Sequence, residues 1–232
     1  MDVRCELDGD DILTVTLDDG DKNTLTPERF EALIAALDDH PQAVAVLLQG
    51  RDGALSAGLD LHWMGAHGRA GVEQLLLLFG RCLMRWWTDP RPTVCAATGH
   101  AIAGGTMLAM ACDHAVATDG GLWGLTETRV GLELPDFGLA LARANLPADR
   151  LEDLVLPGAR IDAEAAVAAG YADELVPDAA TCRVRARTHT EELAALPGRA
   201  YAGTKRRLRG TAAEGVLAGL EDDIAMLTAH LP

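Results

Sequence analysis

An α/β fold is predicted by three features of this sequence. Short runs with the alternation or continuous apolarity of strands recur between segments with helical spacing. Two glycine-rich turns follow directly on apolar strand-like runs. The strand signals stop by about Glu191, after which the chain reads as helical to its end.

The elements follow in order. Ile12 to Leu17 alternates, with Leu13, Val15 and Leu17 on one side and Thr14 and Thr16 on the other, as in a half-buried strand. Asp18-Asp19-Gly20-Asp21 is a turn. Thr26-Pro27-Glu28 supplies an N-cap residue, an N1 proline and a first-turn acid. Phe30, Leu33, Ile34 and Leu37 then give one apolar helix face. Ala43 to Leu48 is continuously apolar and fits a strand covered on both sides. Val72 to Trp87 carries helical spacing, with Trp86-Trp87 packing it on the core, and Pro90 and Pro92 end it. Thr93 to Ala97 and His114 to Ala117 read as strands, and Thr106 to Ala111 as a short apolar helix. Asp162 caps a helix over Ala163 to Ala169 that Gly170 stops. Leu175-Val176-Pro177 closes the sheet, and Leu193 onward is helical with one apolar side.

The bulk composition narrows the function. The 232 residues carry a formal net charge of −15, which argues against a nucleic-acid partner. Five scattered cysteines without a C-x-x-C pair make a disulfide framework or a structural zinc site unexpected. The first residues show no signal-peptide pattern, and apolar stretches such as Leu75 to Phe79 are far too short to span a bilayer. A cytoplasmic protein with no membrane association is expected.

Chemistry is concentrated in the two glycine turns. The first is Leu55-Ser56-Ala57-Gly58-Leu59-Asp60-Leu61, and the second Gly99-His100-Ala101-Ile102-Ala103-Gly104-Gly105, opening into the Thr106 helix. Ligands of open α/β sheets collect at the carboxyl ends of strands. Glycine lets bare backbone amides approach a ligand there, and a helix N-terminus favours negative charge. No Gly-Lys-Ser/Thr follows, so this is not a P-loop, and a Gly-x-Ser-x-Gly elbow is absent.

Both segments, the second running on through Thr106-Met107-Leu108-Ala109-Met110-Ala111-Cys112-Asp113, resemble the signature segments of the enoyl-CoA hydratase/isomerase (crotonase) family. Asn23-Thr24-Leu25-Thr26, Gly124-Leu125-Thr126-Glu127-Thr128-Arg129-Val130-Gly131-Leu132 and Asp162 to Val176 extend the similarity over most of the chain. The resemblance implies a spiral core of ββα units over residues 1–190 and a C-terminal helical region over 191–232 that forms trimers or dimers of trimers. It implies an acyl-CoA substrate, with coenzyme A part of that substrate and no separate cofactor or metal.

The resemblance also implies site roles. The amides of Leu59 and Gly104 would form an oxyanion hole for the thioester oxygen, with Ser56, Ala57, Gly58, Ala103 and Gly105 shaping it. Asp60, Leu61, Trp63 and Met64 would follow along the acyl chain, although Asp60 also suits a cap. Arg51 and Lys205 would meet the coenzyme's phosphates, Lys205 from a C-terminal basic cluster. Hydratases of the family use two glutamates. The first falls here at Met107, which cannot carry a proton, and the second at Glu127. One carboxylate suits moving a double bond from the 3 to the 2 position, so an enoyl-CoA isomerase with Glu127 as base is expected. The motif resembles the Δ3,Δ2-enoyl-CoA isomerases in particular. A hydratase or another reaction of the family, or an acyl-CoA binder without turnover, are the alternatives. Trp123, Leu125 and Val130 are expected to desolvate Glu127 and raise its pKa. Asp136 and Glu133 could be a second acid or loop residues; His62 and His67 read as loop or rim residues.

Overall fold

The computed structural model describes residues 2–231. Two short strands, β1 (Val3–Leu7) and β2 (Ile12–Leu17), pair antiparallel, and the β2 alternation holds: Leu13, Val15 and Leu17 are buried while both threonines are partly exposed. Helix α1 (Pro27–Asp38) begins where Thr26-Pro27 predicts, but the Thr26 hydroxyl makes no cap hydrogen bond to the backbone. Its face of Phe30, Leu33 and Leu37 is buried, with Ile34 at the margin.

From there the chain repeats one unit three times. A strand enters a large sheet, a second strand enters a small sheet, and a helix follows. The units are β3 (Ala45–Gln49), β4 (Gly53–Ser56) and α2 (Leu61–Trp87); β5 (Thr93–Ala97), β6 (Gly99–Ile102) and α3 (Gly104–Ala111); and β7 (His114–Thr118), β8 (Leu122–Gly124) and α4 (Asp136–Asn145). The large sheet runs β1-β2-β3-β5-β7 and ends on β10 (Glu174–Val176). The small one runs β4-β6-β8 and ends on β9 (Ile161–Asp162). Pairing between the repeats is parallel, as strand–helix crossovers require. This is the spiral of ββα units. The small sheet was not legible as strands, because its members are short and glycine-rich.

The large sheet is covered on both faces. Leu48, Cys95, Ala97, Ala115 and Ala117 face the main core, while Leu47, Val94, Ala96 and Val116 pack against Cys182 and Ala186 of α7 (Ala179–Ala194). That explains the continuous apolar run at β3, although Val44 just before it is 45% exposed. The chain's three phenylalanines tie three helices together. Phe30 stacks on Phe79 at 4.7 Å, and Phe137 meets Phe79 edge-on at 5.1 Å. Such pairs contribute about 0.5–1.5 kcal/mol each beyond area burial.

Helix α2 starts eleven residues before the expected Val72, kinks at Gly68 and carries His62 and His67, which are therefore helical rather than loop residues. Asp162 caps α6 (Ala163–Ala169) by accepting from the Ala165 amide at 2.8 Å, and Gly170 ends it in the left-handed region. After α5 (Leu151–Val155), α6 and β10 no strand follows among the described residues. Helix α7 runs across positions 190 and 191, and α8 (Gly198–Thr228) folds back along α2 and α4 of its own chain. None of the described helices is long and apolar enough to cross a membrane.

Candidate active site

Most amides at the centre of the first turn are spent inside the protein. Ala57 donates to the Lys22 carbonyl (2.9 Å), Gly58 to the Ser56 hydroxyl (3.1 Å) and Asp60 to the Leu25 carbonyl (3.1 Å). The Leu59 amide has no acceptor among the described residues. The turn is held from behind by Asn23, buried and at φ +52°. Its side-chain amide lies within hydrogen-bond reach of the Leu17, Ala54 and Leu55 carbonyls (2.9, 3.2 and 3.1 Å). The Ser56 hydroxyl donates to the Asn23 carbonyl at 2.6 Å. In the sequence Asn23 is only one position of a motif; its grip on three carbonyls arises from the fold.

The second turn mirrors this. Ala103 sits at φ +53°, a strained position for a residue with a side chain, fixed by the hydrogen bond its amide donates to the Gly124 carbonyl (2.8 Å). The Gly104 amide, at the first turn of α3, also has no acceptor among the described residues. Gly58, at φ +89°, faces it: a Cβ on Gly58 would lie 3.2 Å from Gly104 N. Gly105 serves another purpose. A Cβ there would lie 2.3 Å from the Ser56 carbonyl oxygen, so Gly105 lets α3 pack on β4.

Leu59 lines an apolar cavity together with Met64, Phe79, Met107, Glu127 and Leu227. Glu127 opens a 3-10 turn (Glu127–Val130) and is 9% exposed. Its Oε2 has no hydrogen-bond partner among the described residues. Burial pushes the carboxyl up from 4.5 to about 7, outweighing its own backbone amide. The apolar shell differs from the expected one. Trp123 and Leu125 are buried, but Val130 points outward at 49% exposure, and Met107, Leu132 and Phe137 close the cavity instead. Met107, 1% exposed, brings a thioether and no acid. Tyr171 is buried nearby, and no motif in the sequence marks it. Its hydroxyl is pushed up to about 12, by burial first and then by the charge of Glu127.

Several expected substrate contacts serve the scaffold. Asp60 caps α2, accepting from Trp63 N at 2.9 Å. Leu61 is 54% exposed, and Trp63 stacks on His67 (3.8 Å) outside the cavity lining, where Met64 takes its place. The Arg51 guanidinium donates to the Asp21 carbonyl at 2.7 Å, which commits part of it to the 18–21 turn. Lys205 is the clearest correction. It is 5% exposed, with Nζ 2.7 Å from Asp113 Oδ2 and 2.9 Å from the Arg91 carbonyl, so within its own chain it anchors α8 and offers nothing to a phosphate. Glu133 is an exposed residue at the cavity rim, and the Asp136 amide, first in α4, donates to Asp223 Oδ2 at 2.9 Å.

Comparison with known proteins agrees with this arrangement. The family model "Enoyl-CoA hydratase/isomerase" matches residues 8–231. A Thermus thermophilus protein that carries an enoyl-CoA hydratase name is 36% identical over 173 residues, 72% of this chain and 68% of its own. Enoyl-CoA delta isomerase 3 of Arabidopsis thaliana is 28% identical over 85% of this chain and 88% of its own. The structure of a Mycobacterium tuberculosis enoyl-CoA isomerase superposes with a TM-score of 0.89 at 30% identity, covering 97% of this chain and 98% of that one. A second structure of the same protein carries a hydratase name. The chain therefore belongs to the enoyl-CoA hydratase/isomerase (crotonase) family, whose members act on acyl-CoA thioesters.

Proposed function

We propose that the protein is an enoyl-CoA isomerase that converts a 3-enoyl-CoA into the 2-enoyl-CoA. The observation that carries this reading is the pairing of Glu127 with Met107: the cavity holds one buried carboxylate, with a thioether where a hydratase has its other acid.

Removing a proton from C2 of a thioester builds negative charge on the thioester oxygen. The free amides of Leu59 and Gly104 are the donors for that charge, fixed before the reaction begins. Their amides stabilise the enolate more than the ground-state carbonyl, which is the differential binding catalysis needs. Glu127, deprotonated, takes the C2 proton, and the carboxylic acid so formed returns it to C4 as the double bond shifts. A carboxyl with a pKa near 7 is well matched to accept and release a proton at neutral pH. Ser56, Gly58 and Ala103 position the donors, and Met64 and Met107 line the path of the acyl chain.

A panel of 3-enoyl-, 2-enoyl- and dienoyl-CoA substrates tests this on wild type and Glu127→Gln. Conversion of 3-enoyl-CoA, lost in Glu127→Gln with acyl-CoA binding retained, is the expected result. The hydratase name of the Thermus relative favours a second reading, in which water adds to 2-enoyl-CoA. Hydration without isomerisation would establish that reading. Binding of acyl-CoA that survives Glu127→Ala, with no turnover of any enoyl-CoA, would make the protein a carrier.

A further inference from the structure

We infer that the last turn of α8 is the wall that fixes acyl length, and that the site takes short-chain acyl thioesters. The inference rests on the acyl-CoA reading above and adds the size of the acyl group.

The cavity beside Glu127 and Leu59 has a volume of about 40 Å³. At about 10–15 Å³ for each water-sized position, it admits roughly three such positions. That suits a few carbon atoms beyond the reacting ones and excludes a long alkyl tail. Val72, Leu76 and Phe79 of α2 and Phe137 of α4 form part of its lining. These side chains belong to the packed core and cannot withdraw without opening voids. Leu227 and Leu231 also line it, and they are only partly buried.

This closing turn is anchored rather than loosely laid over the site. The Thr228 hydroxyl, 1% exposed, lies 2.9 Å from Glu73 Oε1 and 2.8 Å from the Ile224 carbonyl. Ile224 and Leu220 are buried one and two turns earlier. A Cβ on Gly80 of α2 would meet Leu220 Cδ1 at 2.7 Å, so the two helices are already at closest approach. The turn thus behaves as a fixed boundary, and Leu227 on it and Leu231 just past it are the side chains whose trimming enlarges the cavity at least cost to the core.

Calorimetric binding of butyryl-, octanoyl- and dodecanoyl-CoA to the intact protein tests this without requiring turnover. Wild type should bind butyryl-CoA at least about tenfold more tightly than octanoyl-CoA, the scale at which apolar pockets resolve methylenes. The Leu227→Ala/Leu231→Ala protein should reverse that order. Met226→Ala, altering a 68% exposed neighbour on the same turn, should leave it unchanged. Leu231→Trp, which fills the space instead, should weaken butyryl-CoA as well. Wild type preferring dodecanoyl-CoA, or the double variant keeping the wild-type order, would overturn the inference. Length selection without isomerase turnover would sink the isomerase reading alone; isomerase turnover without length selection would sink this one alone.

Discussion

Gly58 and Gly104 stand backbone to backbone. A Cβ on Gly58 would lie 3.2 Å from Gly104 N, and one on Gly104 would lie 3.4 Å from Gly58 Cα. Two segments more than forty residues apart thereby bring the Leu59 and Gly104 amides, which have no acceptor among the described residues, to one place. Two strands of the small sheet deliver these turns: β4 leads into Gly58, and β6 into Gly104.

Gly58→Ala should therefore damage activity beyond its effect on stability. The new methyl would lie 2.9 Å from the Ala103 Cβ and 3.0 Å from the Ile102 carbonyl, at a φ of +89°. Strain of this kind costs about 1–3 kcal/mol. The same movement pushes Gly104 N away from Leu59 N, and loss of one oxyanion donor lowers turnover about 10²–10³-fold. Measurement of kcat and of urea unfolding on one preparation separates the two. A fall in stability with kcat unchanged would remove Gly58 from the site.

Much of this site was legible because the chemistry is carried by backbone. Glycine at Gly58 and Gly104 is visible in sequence, and so is the absence of an acid at Met107. What stayed hidden depends on three-dimensional partners. Lys205 in a run of four cations reads as a solvated phosphate site, yet a single aspartate ninety-two residues away buries it. Val130 beside Glu127 reads as its desolvating neighbour, but the 3-10 turn rotates it outward. The small sheet leaves no signal in the sequence because its strands span two to four residues, too few for an alternation to show.

The exposed side of the C-terminal helices bears on assembly. Leu208 is 77% exposed and shares a surface groove with Leu196, itself 48% exposed. Apolar side chains grouped in this way mark contact surfaces. We propose that copies of the chain associate through this face, as trimers or dimers of trimers. Light scattering on wild type should give a mass three or six times that of the chain, and Leu208→Glu should lower it. A monomeric wild type at micromolar concentration would end the proposal.

Lys205 and Asp113 form the ion pair that fastens α8 to the core. Asp113 also accepts from the Tyr201 hydroxyl (2.8 Å) and from Arg209 (2.6 Å). Burial outweighs the attraction of Asp113 and holds the Lys205 ammonium below its ordinary pKa, so this charge depends on its partner. Asp113→Ala should cost about 3–5 kcal/mol in urea unfolding, since it strands a buried ammonium. Lys205→Met, which keeps the apolar stem, should cost less and leave the affinity for acyl-CoA essentially unchanged. A large loss of affinity in Lys205→Met, with the fold intact, would return Lys205 to the coenzyme site.

Glu127 links activity and stability to pH in opposite directions. As a base it must be ionised, so kcat/KM for 3-enoyl-CoA should rise with pH and level off above about 7. Its carboxyl sits above the ordinary 4.5, so the native protein binds this proton more tightly than the unfolded chain does. The stabilisation that follows is complete below pH 4.5 and is lost as pH rises through about 7. The shift corresponds to at most about 3 kcal/mol. Glu127→Gln carries no such proton, so it should match wild type in stability near pH 4.5 and exceed it progressively up to pH 8, where it is also inactive. Urea unfolding of both proteins at pH 5 and pH 8, with the pH–rate profile of wild type alongside, checks both arms. Equal pH dependence of stability in the two proteins would show that Glu127 is not the group that titrates near neutrality, and a flat pH–rate profile would remove it as the base.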